Sequence, residues 1–186
     1  MSYNAFIFHG NAGFPEENWF PWLRSRLEEK GVDTIVPQFP TPDNQTLEAW
    51  LEVLKPNMDK IGENTILIGH SLGGAFALKI LESLSKPVLA TVFVGTPVGI
   101  QPILNYDKDV AFCGFKFDWE NIKSKSKHFL VYQSDNDPYV AKANGEELAK
   151  QLGVNLNFVP NAGHFNSKAG YTQFEDLYKN LEGFIS

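Results

Sequence analysis

Short apolar runs alternate along the whole chain with longer segments whose apolar positions recur at helical spacing. The apolar runs are rich in Ile, Val and Phe and end at glycine, proline or other turn residues. This alternation is typical of an α/β fold with an open, mainly parallel sheet covered on both faces. The predicted strands are 4–8, 33–36, 65–68, 88–94, 128–133 and 154–159, and the predicted helices are 16–30, 46–60, 75–81, 138–152 and 171–184.

Three residues mark the predicted ends of helices. Gly31 follows the first helix, where a residue without a side chain can take the left-handed conformation that stops a helix. Thr46 can cap the second helix with its hydroxyl. Pro56 lies inside that second segment and predicts a kink or an early end.

The segment 65–74 carries the clearest candidate chemistry. It places Ser71 between Gly69 and Gly73 in a G-x-S-x-G motif, after a buried strand and before a helix. This arrangement is the nucleophile elbow of α/β-hydrolases, in which a sharp turn strains the serine and the glycines avoid collisions. We therefore predict that Ser71 is a nucleophile rather than part of a structural turn. The N–H of Leu72 is a predicted oxyanion donor, since it is left unpaired at the start of the helix.

A serine nucleophile needs a general base, and only one of the four histidines lies in a suitable place. In α/β-hydrolases the chain order is Ser, then Asp or Glu, then His. His164 alone follows the last predicted strand, in a loop at the carboxyl edge of the sheet. We predict that it is the base, and the alternative is an ordinary surface histidine.

Two carboxylates could orient that base, and both follow the strand 128–133. Asp137 directly precedes Pro138 and could instead cap the helix that begins there, which would leave Asp135 as the acid. Spacing alone leaves this choice open.

A second oxyanion donor is expected in the loop 9–13 after the first strand. The N–H of Asn11 is the candidate, and the alternative is a turn that only connects the strand to the helix.

Composition narrows the class of protein. The 186 residues, 43% of them hydrophobic, suit a single domain over 1–186. A net charge of -6 disfavours nucleic acid and anionic membranes as partners.

No run approaches the roughly 20 apolar residues of a membrane span, and residues 1–10 lack the pattern of a signal peptide. Cys113 is the only cysteine, which rules out an internal disulfide and a Cys-rich metal site. We expect a cytoplasmic protein without a cofactor or a metal.

Four motifs resemble the small serine hydrolases of the retinoblastoma-binding protein 9 and YdeN-like family, over most of the chain. They are the segments 68–71, 118–123, 134–140 and 162–166. In that family the Asp directly before Pro is the acid, so the resemblance implies Asp137 over Asp135. It also implies a compact α/β-hydrolase fold with no separate cap domain. With the six strands predicted above, we expect a three-layer α/β/α sandwich.

The chain departs from the family pattern in two places. Ala141 stands where the family often has a proline, two residues after the Asp-Pro-aromatic triplet. The Leu-x-Cys-x-Glu signature for binding retinoblastoma-type proteins is absent, so that partner is not expected. Other protein partners cannot be named from the sequence.

These features together predict a carboxylesterase-like serine hydrolase that acts on small-molecule acyl esters through Ser71, His164 and Asp137. A thioesterase or small-peptide hydrolase with the same triad is an alternative, and a protein-interaction scaffold with vestigial turnover is another. We expect an apolar acyl pocket walled by Phe14, Trp19 and the aromatic loop 106–119, although at least half of these rings could belong to the core. The rings of that loop are Tyr106, Phe112, Phe115, Phe117 and Trp119.

Overall fold

Six parallel strands form one open sheet. The computed structural model describes residues 2–114 and 116–185, so Phe115 of the aromatic loop lies outside the described residues. The strands occur in the order β2-β1-β3-β4-β5-β6, which confirms the predicted fold class. Their bounds are Tyr3–Phe8 (β1), Val32–Ile35 (β2), Thr65–His70 (β3), Val88–Val94 (β4), Ser126–Gln133 (β5) and Leu156–Phe158 (β6).

Helices cover both faces of this sheet. The α-helices are Phe20–Glu29 (α1), Leu47–Leu54 (α2), Leu72–Ser83 (α3), Tyr106–Cys113 (α4), Trp119–Lys123 (α5), Lys142–Leu152 (α6) and Glu175–Glu182 (α7), and short 3-10 turns span Lys55–Lys60 and Ser167–Ala169.

Two hydrophobic cores lie on opposite faces of the sheet, because successive side chains of a strand point to opposite sides. In β1, Ala5 and Ile7 pack with α1 and α7. Phe6 and Phe8 pack in the other core, with apolar residues from α2, α3, α4, α5 and α6. The result is the predicted three-layer arrangement.

The crevice between β1 and β3 is the place where the order of the strands reverses. From β1 the chain crosses to β2 on one side and then returns to β3 on the other. Open α/β sheets bind ligands outside the carboxyl ends of the strands at such a point. The loop after β1 and the turn after β3 border this crevice.

The predicted signals for the ends of the first two helices are confirmed. Gly31 has φ of +77° just after α1. The Thr46 hydroxyl accepts a hydrogen bond from the N–H of Ala49 at 3.1 Å. The α-helix ends at Leu54, and the segment that contains Pro56 continues only as a 3-10 turn.

Several predicted boundaries were wrong, for local reasons. α1 begins at Phe20 rather than residue 16, because Asn18 has φ of 54° and a helix cannot continue through it. α6 begins at Lys142 rather than residue 138, since Val140 pairs with Ile103 in an isolated antiparallel bridge. The segment 106–119, which was expected to be a loop, is partly helical, because it contains α4 and the first residue of α5.

Glycines at the start of α3 allow this helix to approach two strands closely. A Cβ on Gly73 would overlap the carbonyl oxygen of Phe8 in β1. A Cβ on Gly74 would overlap the side chain of Thr96, just after β4. The missing side chains therefore set the distance between α3 and the sheet.

We expect Gly74→Ala to lower the free energy of unfolding by roughly 1–3 kcal/mol, because the added methyl group overlaps Thr96. The double variant Gly74→Ala with Thr96→Gly should recover part of this loss. Gly62→Ala is the control, since no neighbouring atom lies within 4 Å of its added Cβ. It should change the free energy of unfolding by less than about 1 kcal/mol. Equal effects of Gly74→Ala and Gly62→Ala in urea unfolding would contradict this packing argument.

Candidate active site

Ser71 occupies the sharp turn between β3 and α3. Its backbone has φ of 54° and ψ of -125°, in a region that residues with side chains rarely adopt. Two hydrogen bonds hold this conformation. The Ser71 N–H donates to the carbonyl of Val94 at 2.8 Å, and the Ser71 carbonyl accepts from the N–H of Gly74 at 2.9 Å.

Two further glycines leave room for the reactive side chains. A Cβ on Gly10 would lie 2.8 Å from Ser71 Cβ and 3.2 Å from Ser71 Oγ. A Cβ on Gly95, which has φ of +56°, would lie 3.1 Å from His164 Nδ1. The sequence reasoning missed the role of both. The available signal was a glycine that follows β1 or β4 at the carboxyl edge of the sheet, where the functional loops meet.

His164 and Asp137 form a direct pair. His164 Nδ1 lies 2.6 Å from Asp137 Oδ2, and the two side chains are 7% and 1% exposed. The other oxygen, Asp137 Oδ1, accepts from the N–H groups of Tyr139 and Val140 at 2.8 and 3.1 Å. The contact with His164 and the capping contact therefore do not compete, since each uses its own oxygen and the capped segment is a turn rather than a helix.

The loop before Asp137 binds the loop before His164 along its length. Ser134 Oγ donates to the carbonyl of Gly163 at 2.5 Å, and Asn136 Oδ1 accepts from the N–H of the same glycine at 2.7 Å. Asp135 Oδ1 accepts from the N–H of Asn161 at 2.8 Å. Asp135 thus contacts the backbone of the histidine loop, and the structure pairs the His164 ring with Asp137 instead.

Ser71 and His164 line the same cavity. Across residues 2–114 and 116–185, no hydrogen bond joins Ser71 Oγ to the His164 ring. Because Nδ1 of the ring faces Asp137, Nε2 is the nitrogen left for another partner. Hydrogen bonds of this kind are often long in free enzymes and shorten in the complex with substrate.

The two predicted oxyanion donors border the same cavity. Leu72 is the first residue of α3, and Asn11 lies in the loop after β1. Neither N–H has a hydrogen-bond partner among the residues that the structure describes. The first N–H groups of a helix have no partner within the helix and attract negative charge.

His9 holds the loop that contains Asn11. Its Nε2 accepts from the N–H of Phe39 at 2.9 Å, so Nδ1 carries the proton and donates to the carbonyl of Gly10 at 2.9 Å. Burial lowers the pKa of this imidazole, which is fully enclosed. His9 is therefore neutral and connects the loop to the segment after β2.

The cavity above Ser71 has a volume of about 670 Å³. Its apolar wall differs from the one predicted, because Phe14 is the only one of the named aromatic residues within the described part of the chain that lines it. Trp19 and Phe112 are fully buried in the two cores, and Phe117 and Trp119 border a separate surface depression. The other apolar side chains of the cavity wall are Ala12, Leu72, Pro97, Ile103, Leu104 and Val140.

Asp109 of α4 is a buried carboxylate on the cavity wall, at 5% exposure. Gln45 Nε2 donates to its Oδ1 at 2.7 Å, and Asn11 Nδ2 lies 3.5 Å from both oxygens. Thr41 bonds to Gln45 and also accepts from the N–H of Ala12 at 2.7 Å. Asp109 is thus connected to the candidate oxyanion loop, and burial raises its pKa to about 6.

A second carboxylate of the cavity also has a shifted pKa. Burial raises the pKa of Glu17, in the turn before α1, to about 7. Glu16 also lines the cavity, and Lys168 is the one cationic side chain on the described part of the wall. The charge of the cavity near neutral pH therefore depends on the protonation of Glu17.

Metal-binding clusters and membrane-spanning helices are both absent from residues 2–114 and 116–185. No group of three or more His, Cys, Asp or Glu side chains within them is placed to hold a metal ion. None of their helices has both the length and the apolar composition that crossing a bilayer requires.

Known proteins are similar to this chain in both sequence and fold. A family model described as serine hydrolase matches residues 5–183. The protein YdeN of Bacillus subtilis (strain 168) is 31% identical over 188 residues, covering 100% of this chain and 98% of that protein. Serine hydrolase RBBP9 of Rattus norvegicus is 25% identical, with coverage of 98% and 95%. The crystal structure of the ydeN gene product from B. subtilis superposes with a TM-score of 0.91, at 29% identity and 98% coverage of both chains.

We expect Asp109 to make folding stability depend on pH. Its pKa is raised from 3.8 to about 6 in the folded protein, so the folded state binds this proton more tightly. The stabilisation is complete below about pH 4 and is lost as the pH rises through 6. Between pH 4 and 7 the free energy of unfolding should therefore fall by about 2 kcal/mol more in the wild type than in Asp109→Asn.

Urea unfolding at pH 4, 5, 6 and 7 measures this difference. Asp107→Asn is the matched control, because Asp107 is exposed on the same helix, and it should follow the wild type at every pH. A difference between the wild type and Asp109→Asn that stays constant with pH would contradict the expectation.

Proposed function

Since the chain belongs to the serine hydrolase family, we propose that its reaction is the hydrolysis of small carboxylic esters through an acyl-enzyme. The observation that carries this proposal is the strained Ser71 at the start of α3, in one cavity with the His164–Asp137 pair. The chain is a hydrolase. The ester substrate, the triad and the intermediate are our proposal.

In the first step His164 Nε2 takes the proton of the Ser71 hydroxyl while Oγ attacks the acyl carbon. The contact between His164 Nδ1 and Asp137 Oδ2 supports this role, because it places the lone pair on Nε2. The carboxylate then stabilises the imidazolium that forms. Its low exposure strengthens that interaction, since water does not screen it.

The tetrahedral intermediate carries negative charge on the former carbonyl oxygen. We assign its stabilisation to the N–H groups of Leu72 and Asn11. Their lack of other partners among the described residues supports the assignment, as does the position of Leu72 at the positive end of α3. His164 next protonates the leaving alcohol, and the same ring activates the water that releases the acid.

The dimensions of the cavity support a small-molecule substrate. Its volume of about 670 Å³ lies within the range of ordinary small-molecule sites. Phe14, Ile103 and Leu104 provide apolar contact for an acyl chain. We assign no nucleic acid, membrane or protein partner, and the cytoplasmic location stays a prediction.

We expect a fluorophosphonate probe to label Ser71 at neutral pH, because the probe reacts with an activated serine. Ser71→Ala should lose both the labelling and the hydrolysis of p-nitrophenyl acetate. Mass spectrometry of the labelled peptide identifies the residue. Continued labelling of Ser71→Ala would show that another nucleophile is responsible.

Asp137→Asn should lower kcat by about 10⁴-fold, because the amide no longer fixes the imidazole in the required tautomer. Its Oδ1 can still accept from Tyr139 and Val140, so the turn should remain intact. Asp135→Asn is the matched control, since its side-chain oxygen can still accept from Asn161, and it should change kcat less than about 3-fold. The reverse order of these two effects would disprove the assignment of the acid.

A further inference from the structure

The loop that carries His164 has an unusual backbone. Asn161, Gly163 and Phe165 have positive φ values of 59°, 55° and 51°. For a bulky residue such as Phe165 this region is an outlier. A backbone of this kind persists only where the surrounding contacts hold it. The position of His164, between two of these residues, is therefore set by the groups that bind the loop.

Many of these groups come from two places. The segment 134–137 after β5 provides one set, described above. The turn before α1 provides the other, where Trp19 Nε1 donates to the carbonyl of Phe165 at 2.9 Å and Asn18 Oδ1 accepts from the N–H of Ser167 at 2.9 Å. Neither set belongs to β3, the strand that leads into Ser71.

His70 connects the loop to that strand. It is the last residue of β3, directly before Ser71, and is 3% exposed. Its Nε2 lies 2.8 Å from the carbonyl oxygen of His164. Because a carbonyl oxygen can only accept, Nε2 carries the proton and donates. The two imidazole rings also pack together, with their centroids 4.8 Å apart.

Neither stability nor proton transfer accounts for a histidine at this position. With the proton on Nε2, Nδ1 is a buried acceptor, and it has no partner in the described part of the chain. Such an atom is unfavourable for folding. Burial lowers the pKa of His70 to about 3, so the ring is neutral near pH 7. The ring also packs against Trp19 and Phe20, which an apolar side chain could do as well, whereas the bond to the His164 carbonyl requires an N–H donor.

We propose that His70 is a positioning residue, whose hydrogen bond to the His164 carbonyl fixes the general base relative to Ser71. The inference rests on the proposed roles of Ser71 and His164. Since His70 and Ser71 are joined by a peptide bond, this contact links the base to the nucleophile through a single residue. A displacement of about 1 Å in such a geometry can lower a rate by about 100-fold.

Three substitutions of His70 separate this role from general packing. His70→Gln keeps an N–H donor near the position of Nε2. In His70→Asn the side chain is shorter, so its N–H donor lies near the position of Nδ1 and does not reach the His164 carbonyl. His70→Leu has no donor. For each variant the fluorophosphonate labelling rate of Ser71 is measured, together with kcat and KM for p-nitrophenyl acetate.

We expect His70→Asn and His70→Leu to lower kcat and the labelling rate by about 10 to 100-fold, with KM within about 3-fold of the wild type. His70→Gln should stay within about 5-fold of the wild type, because it restores the hydrogen bond. If His70→Leu does not fold, the difference in rate between His70→Gln and His70→Asn decides the result.

Thr91→Val is the matched control for stability. It removes a buried hydrogen bond between Thr91 and Ser126 in the middle of the sheet, and should lower Tm without changing either rate. The positioning role would be overturned if His70→Leu kept the wild-type rates, or if kcat and the labelling rate fell equally in His70→Gln and His70→Leu. A wild type that is neither labelled at Ser71 nor active on the ester would instead overturn the proposed function, and this inference with it.

Discussion

The left-handed conformation of Ser71 is the constraint on which the rest of the site depends. It turns the chain from β3 into α3 within one residue, which raises the side chain above the sheet and leaves the N–H of Leu72 unpaired. Such a turn fits only because neighbouring atoms are absent, since a Cβ on Gly10 or Gly73 would collide with Ser71 or with β1. The bond from the Ser71 N–H to Val94 then holds the turn against the next strand.

A second constraint joins the two loops at the other side of the crevice. The side chains of Ser134, Asp135, Asn136 and Asp137 each bind the segment 161–164. Because three of these contacts reach the backbone, the loop keeps its left-handed residues, and the fourth reaches the His164 ring. The loops after β5 and β6 thus place Asp137 and His164 as one unit, which His70 connects to β3.

The aromatic residues show the limit of composition as a guide to a binding site. Phe112 and Trp19 resemble Phe14 as residue types, yet the first two fill the cores and only Phe14 lines the cavity. The segment 95–126 forms two short helices, each of which buries one side. Which ring faces the cavity depends on the rotation of each helix, and this is set by the partners in the core.

The sequence alone determined the order of the strands along the chain, the elbow at Ser71 and the histidine that follows the last strand. These features are local, because apolar periodicity and the spacing of glycines act over a few residues. Tertiary structure decided the choice of Asp137 over Asp135 as the partner of His164, the roles of Gly10 and Gly95, and the contact of His70 with the histidine loop. The reason is physical: each of these joins segments that are far apart in the chain, and only the packing of parallel strands beside one another brings their carboxyl ends together.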